Sequence, residues 1–274
     1  MDKRLLTIQD ISCVGQCSLT VALPVISACG VETAILPSSV LSNHTAGFSG
    51  WTFCDLTPQM PVILDRWKKE GIDFDAFYTG YVSKAQIPHI LDIMEQTSRP
   101  GAVRIVDPVL GDNGKLYAGF DDDFPQEMKR LVKGADVILP NLTEAAFLLG
   151  HPYVGTGYDR AFIEDTLKGL HELGARNVVL TGVSFEEGRI GFACYDGKTV
   201  EYYFTDFVGG LMHGTGDLFS SAFAGALMRG KSIYESASIA ADFIVETIRQ
   251  TIPDPDHWYG VKFEKALPYL VSRF

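Results

Sequence analysis

The chain has no apolar run of 18 residues anywhere, so no membrane-spanning helix and no membrane partner are expected. It is short of positive charge: 23 Lys and Arg stand against 34 Asp and Glu, a formal net charge of −11. Such a surface repels phosphate backbones, and no nucleic-acid partner is expected. Cysteine is sparse and unpatterned. Cys13, Cys17, Cys29, Cys54 and Cys194 are an odd set at irregular spacings with no C-x-x-C. That argues against a disulfide framework, and Cys13 and Cys17 lack a partner pair for zinc. The absence of G-x-S-x-G argues against an α/β-hydrolase nucleophile elbow. The opening Met1–Leu5 mixes charges and lacks the apolar core of a secretory signal, so the cytoplasm is the expected compartment.

What is present is a long alternation of apolar runs and amphipathic stretches. With 274 residues, 46% of them hydrophobic, the chain can bury a sizeable core. Strands are expected at Leu5–Ser12, Glu32–Leu41, Asp75–Val82, Val103–Val109, Asp136–Leu139 and Asn177–Gly182. Between and after them, helices are expected at Leu19–Cys29, Pro61–Glu70, Ile87–Gln96, Phe124–Val132, Thr143–Leu149 and Arg160–Leu173. Arg189–Tyr195 and Thr199–Phe207 then read as a hairpin turning at Asp196-Gly197, and helices follow at Asp217–Met228 and Ile233–Gln250. Repeated strand–helix units imply an α/β fold, three layers with a mostly parallel central sheet and an antiparallel hairpin near one edge. No repeat, low-complexity tract or linker interrupts it, so residues 1–274 read as one domain.

In such sheets ligands bind beyond the carboxyl ends of the strands. Polar residues recur there: Asp10 and Ser12, His44 and Thr45, Tyr81, Asp107, Asn141 and Thr181. The segment Gly214-Thr215-Gly216-Asp217 precedes an apolar helix. Small residues allow close backbone approach there, and the helix start offers N–H groups to an anion such as a phosphoryl group. Asp217 in the first turn is expected to be ionised at neutral pH and able to accept a proton. Asp107-Pro108-Val109-Leu110-Gly111-Asp112 and Asn141-Leu142-Thr143-Glu144 bring carboxylates after two strands, a set that suits a hard cation such as Mg2+.

Taken in order, Asp107-Pro108-Val109, Gly111-Asp112, Asn141 with Glu144, Thr181-Gly182 and Gly214–Asp217 resemble the ribokinase-like (PfkB-type) superfamily of small-molecule kinases. Within it, Ile8-Gln9, Ser42-Asn43-His44-Thr45 and Gly80-Tyr81 resemble the pyridoxal kinases. The resemblance implies ATP-dependent phosphorylation of the 5′-hydroxymethyl group of pyridoxal, pyridoxamine or pyridoxine by a homodimer. It implies Asp217 as base, with Gly214, Thr215 and Gly216 as the anion hole. Asp10, Ser12, His44, Thr45 and Tyr81 would line the vitamer pocket. Asp107, Asn141, Glu144, Thr181 and Gly182 would serve the nucleotide, and Asp107, Asp112 and Glu144 the metal. MgATP is the implied donor, with a monovalent cation such as K+ as an added ion. One departure stands out: Asp10 occupies a position where the family commonly has serine. Asp10 is expected to meet a protonated pyridine nitrogen or a nearby polar substituent, against the alternative of a local turn cap.

Gly225-Ala226-Leu227-Met228-Arg229-Gly230-Lys231-Ser232 matches the P-loop pattern letter for letter. No strand precedes it, so Gly230 reads as a helix stop and Ser232 as the next N-cap. Two other readings stay open at this point: a hydroxymethylpyrimidine kinase of the same superfamily, and a non-catalytic binder of pyridoxal phosphate.

Overall fold

The computed structural model describes residues 3–117, 119–209 and 212–274. In chain order its elements are β1 (Arg4–Ser12), α1 (Leu19–Ala28), β2 (Glu32–Leu41), β3 (Phe53–Asp55), α2 (Met60–Glu70), β4 (Phe74–Thr79), α3 (Ile87–Thr97) and β5 (Ser98–Val106). Then come β6 (Gly111–Asp112), β7 (Lys115–Leu116), α4 (Phe124–Val132), β8 (Val137–Ile138), α5 (Leu142–Leu149), α6 (Arg160–Glu172) and β9 (Val178–Val183). The chain closes with β10 (Arg189–Tyr195), β11 (Val200–Asp206), α7 (Thr215–Met228), α8 (Ile233–Thr251) and α9 (Phe263–Val271). Two compact units result: Met1–Val103 with Val208–Phe274, and Arg104–Phe207. The first boundary falls inside strand β5, which is why no linker composition marks it.

In the first unit the strands lie in the order β4-β1-β2-β3. β1 runs parallel to both β2 and β4, and β3 is an antiparallel edge. Buried on both faces, β1 shows an unbroken run of covered residues from Leu5 to Asp10 rather than an alternation. Each buried Leu or Ile there contributes about 1.5–3 kcal/mol. Gln9 pairs with Pro37 but Ile11 with Val40, so β2 carries one extra residue beside Asp10. Such irregularities re-aim a strand end, and this one sits where β1 delivers Asp10 and Ser12. Helix α1 packs on β1 and β2 and against α7, and α7 packs against α8.

In the second unit β5, β8 and β9 run parallel, and β10 and β11 add antiparallel strands beyond β9. The β10–β11 turn is held by Asp196, whose Oδ1 accepts the N–H groups of Lys198 and Thr199 at 2.9 and 2.7 Å. The expected strand–helix order is therefore present, as is the hairpin. The short β6 and β7 ladder, β3, α9 and the start of β5 escape the pattern analysis. β3 is three residues long, α9 contains Pro268, and β5 begins at Ser98, running through Pro100-Gly101 where the composition suggests a turn. The P-loop look-alike lies in α7 and the turn after it. Gly230 has φ +86°, and Ser232 caps α8 in a reciprocal bond pair with Glu235. Among the described residues no helix is long and apolar enough to cross a membrane.

Candidate active site

The first unit gathers Asp10, Ser12, Cys17, Ser18 and Asp217. Ser12 Oγ donates to Asp10 Oδ2 at 2.9 Å, and the Ser18 N–H donates to Asp217 Oδ2 at 2.9 Å. Burial pushes the Asp10 carboxyl up from its ordinary value, while hydrogen bonds from the Ser18 and Ser12 side chains pull the other way. Asp217 keeps part of its surface accessible, but its carboxyl is enclosed by protein, and its pKa is pushed up to about 6. Burial is the main cause, the Asp10 charge adds to it, and the Ser18 N–H opposes it. At about 6 the carboxyl is still mostly ionised at neutral pH, as the sequence suggests, although loss of water moves its pKa up rather than down. The outcome suits a base, because a pKa near the working pH balances availability against proton affinity. Burial and the two neighbouring carboxylates also push the Cys17 thiol up, so it stays protonated and inert as a nucleophile.

Helix α7 begins at Gly214, whose φ of +82° is left-handed. A side chain there would overlap the Gln16 carbonyl oxygen, so glycine is required by both conformation and space. Thr215 Oγ1 donates to the Met212 carbonyl at 3.2 Å. The first N–H groups of the helix have no partner within it.

His44 holds loops together. Its Nδ1 accepts the Ala46 N–H at 3.1 Å, so the proton is on Nε2, which donates to the Tyr259 carbonyl at 2.8 Å. Gly15 lies so close that any side chain there would overlap the ring. Both nitrogens are thereby used by backbone, and the ring face and carbon edge are what His44 offers a ligand. His213 stacks obliquely, ring centroids 5.5 Å apart, and burial with the nearby His44 keeps its pKa below the usual value. The Tyr81 phenol is pushed up by burial and by the Asp10 charge. Thr45 is exposed.

The second unit assembles Asp107, Asn141, Glu144 and Thr181. Asn141 and Glu144 form a reciprocal cap on α5: the Asn141 N–H donates to Glu144 Oε2 at 2.8 Å and the Glu144 N–H to Asn141 Oδ1 at 2.9 Å. The Leu110 N–H reaches Glu144 Oε1 at 3.2 Å, and Asn141 Nδ2 donates to the Gly111 carbonyl at 3.0 Å. Thr181 is bridged to Asn141 in parallel fashion, and Gly182 is exposed beside it. Burial first and the Asp107 charge second hold the Glu144 carboxyl well above the usual range. Asp107 is only 6% exposed. Asp112 is exposed and turned onto Asn113. Among the described residues no three His, Cys, Asp or Glu side chains converge as a metal-binding group. Of the expected trio, Asp107 and Glu144 are buried, and Asp112 is exposed in the tight β6–β7 turn with its charge still reaching Glu144.

Sequence reasoning missed Ser18 and Cys17, which nothing but proximity distinguishes, and the Tyr259 carbonyl, which no side-chain pattern encodes.

An α/β sheet with carboxylates at strand ends and a glycine-led helix start define a small-molecule phosphotransferase of ribokinase-like fold. Residues 25–260 match the phosphomethylpyrimidine kinase family model. The chain is 30% identical over 261 residues to the pyridoxal kinase of Dictyostelium discoideum, covering 88% of this chain and 82% of that one. The structure resembles pyridoxal kinase from Lactobacillus plantarum, with 35% identity, a TM-score of 0.91, and coverage of 99% and 97%. It also resembles a Bacteroides thetaiotaomicron protein assigned as a phosphomethylpyrimidine kinase and crystallised with pyridoxal. There the identity is 37%, the TM-score 0.92, and the coverage 98% and 96%. The chain belongs to this kinase family, with the pyridoxal kinases of the ribokinase-like superfamily.

Proposed function

We propose that the protein transfers the γ-phosphoryl group of ATP to the 5′-hydroxymethyl group of vitamin B6 vitamers, giving the 5′-phosphate and ADP. The observation that carries this reading is Asp217: an enclosed carboxyl at a helix start, one oxygen held by the Ser18 N–H, with a pKa near 6. The vitamer oxygen attacks the γ-phosphorus and the bond to the ADP oxygen breaks. Asp217 takes the hydroxyl proton. The N–H groups of the Gly214-Thr215-Gly216 segment steady the charge on the moving group, and positioning with charge stabilisation supplies most of the acceleration. Asp10 and Ser12 meet the polar edge of the pyridine, and Tyr81, His44 and Thr45 contribute the rest of that pocket.

In the second unit Asp107, Asn141, Glu144, Thr181 and Gly182 serve the nucleotide. The buried pair of Asp107 and Glu144 fits a hard divalent cation: Glu144 keeps acceptor capacity beyond its two backbone bonds, and a cation would relieve the repulsion that raises its pKa. When bound, Mg2+ neutralises phosphate charge. A monovalent ion such as K+, a homodimer and a cytoplasmic setting belong to the same reading, as does the whole chain working as one kinase domain.

The family model's description favours a second reading, phosphorylation of hydroxymethylpyrimidine. The Ser42–Thr45 segment and the pyridoxal bound by the Bacteroides relative favour the pyridine. Turnover of pyridoxal, pyridoxamine, pyridoxine and hydroxymethylpyrimidine with MgATP, beside Asp217→Asn, tests both. B6 turnover that collapses in the variant is expected. Turnover of the pyrimidine alone moves the substrate, and an active variant removes the base.

A further inference from the structure

We propose that Trp258 is a positioning residue for the loop after β2: its ring clamps Phe48 and Gly47 at the loop tip and so holds the His44 ring in place for the vitamer. The consequence for the substrate rests on the reading of His44 and Thr45 as part of the vitamer pocket.

Nothing in the sequence joins these segments. His44 and Phe48 follow β2, and Trp258 lies far along the chain, between α8 and α9. The fold brings them together as a row of rings. Trp258 and Phe48 have centroids 4.8 Å apart, with planes at 53°. Phe48 meets His44 edge-on at 5.0 Å and 79°, and His213 lies 5.5 Å from His44. At such spacings aromatic pairs attract one another. Gly47, with φ +78°, sits against the same rings: a Cβ there would stand 3.0 Å from the Trp258 ring and 3.8 Å from His213 Nε2. The loop tip therefore packs between Trp258 and the residue that precedes Gly214.

The base and the tip of this loop are held by different means. At the base, Asn43 Nδ2 donates to the His44 and Gly50 carbonyls, both at 3.0 Å, and the His44 N–H donates to the Val14 carbonyl at 3.1 Å. At the tip, rings supply the hold. Tyr259, next to Trp258, offers the carbonyl that receives the His44 Nε2 proton at 2.8 Å. Two consecutive residues thus grip His44, one directly and one through Phe48.

The segment that carries them is itself tied down. Lys262 pairs with Asp254, and the Lys262 N–H donates to Thr251 Oγ1 at 2.8 Å. Gly260 lies so close to Gln16 that a side chain there would overlap it. Trp258 is 52% exposed, so truncating it leaves no enclosed cavity and the fold survives. What is lost is the backing of the loop tip. A loose tip must be ordered when substrate binds, and that ordering weakens binding.

Trp258→Ala and Trp258→Phe are compared with wild type, phenylalanine keeping a ring to stack on Phe48. In steady-state kinetics with pyridoxal and MgATP, the alanine variant is expected to raise KM for pyridoxal by about 3- to 10-fold, the worth of one aromatic pair. Its kcat and its KM for ATP stay at wild-type values, and phenylalanine restores most of the loss. The second measurement needs no substrate. The His44 Nε2 proton is followed by NMR in chain labelled with 15N-histidine, its signal being the one missing from His44→Asn. Its exchange with solvent is expected to quicken in the alanine variant and to stay near wild type in the phenylalanine variant. A wild-type KM for pyridoxal in Trp258→Ala overturns the proposal, and so does an unchanged exchange rate. Should the alanine chain fail to fold, Trp258→Leu, apolar but without a ring, takes its place with the same expectation. A wild-type enzyme that turns over no B6 vitamer removes the reading of the pocket, and the exchange rate then decides by itself whether Trp258 holds His44.

Discussion

A methyl group added at Gly216 separates the anion-hole reading from a purely structural one. Gly216 has an ordinary helical φ, and a Cβ built on it meets nothing among the described residues within 4 Å. Gly214, two residues earlier, is the opposite case, with φ +82° and a Cβ that would overlap the Gln16 carbonyl oxygen. For the folded chain Gly216→Ala is therefore harmless. Removing a glycine at a compatible position stabilises by about 0.4–1 kcal/mol through the unfolded state, or about 1–4 °C in Tm for a chain of this size. Gly214→Ala combines a left-handed penalty of about 1–2 kcal/mol with overpacking of about 1–3 kcal/mol. That lowers Tm by about 4–20 °C. If the space beside Gly216 receives the moving phosphoryl group, its alanine variant loses kcat by about 100-fold, as when one oxyanion donor is removed. Thermal melts and steady-state kinetics on the two variants test this together. A Gly216→Ala enzyme with wild-type kcat refutes the placement of the phosphoryl group there. A Gly216→Ala enzyme that is inactive and also unstable refutes the claim of open space.

Three further outcomes follow from the same geometry. The Asp217 pKa is raised in the fold, so the native state binds a proton that the unfolded state has released between about pH 4 and pH 6. Stability falls as pH rises through that window, and Asp217→Asn should melt above wild type at pH 7, with the difference shrinking toward pH 4, while kcat is lost. Asn141→Ala removes the α5 cap and the bond to the Gly111 carbonyl, and chemical denaturation should show a loss of about 1–2 kcal/mol. Lys231→Ala, in the P-loop look-alike, should leave kcat unchanged in the kinase assay, because Lys231 follows α7 and its N–H closes back on the Ala226 carbonyl.

Most of the architecture was readable because local patterns and tertiary need agree. Helix α5 starts at Asn141 with Glu144 three residues on, and both capping bonds form. The β10–β11 turn falls on Asp196-Gly197 as its residue types dictate. The unreadable parts had weak local signals. The edge strand β3 is held by pairing with β2 rather than by pattern. Strand β5 overrides Pro100-Gly101, and α9 tolerates Pro268 in a segment whose Phe263, Ala266 and Leu270 are buried.

At the site the division is similar. Gly214–Asp217, Ser42–Thr45 and the residues after β5 and β8 stand out in the sequence, because chemistry of this kind demands particular side chains at particular spacings. That much marks a phosphotransferase and puts Asp217 forward as its base. The sequence cannot show that burial reverses the effect of the helix start on Asp217, because desolvation depends on atoms brought from elsewhere in the chain. Nor can it show that both nitrogens of His44 are taken by backbone from residues 46 and 259. Ser18 is the clearest instance. Its letter says helix cap, and only the fold, by packing α7 against α1, gives its N–H the Asp217 carboxylate to hold.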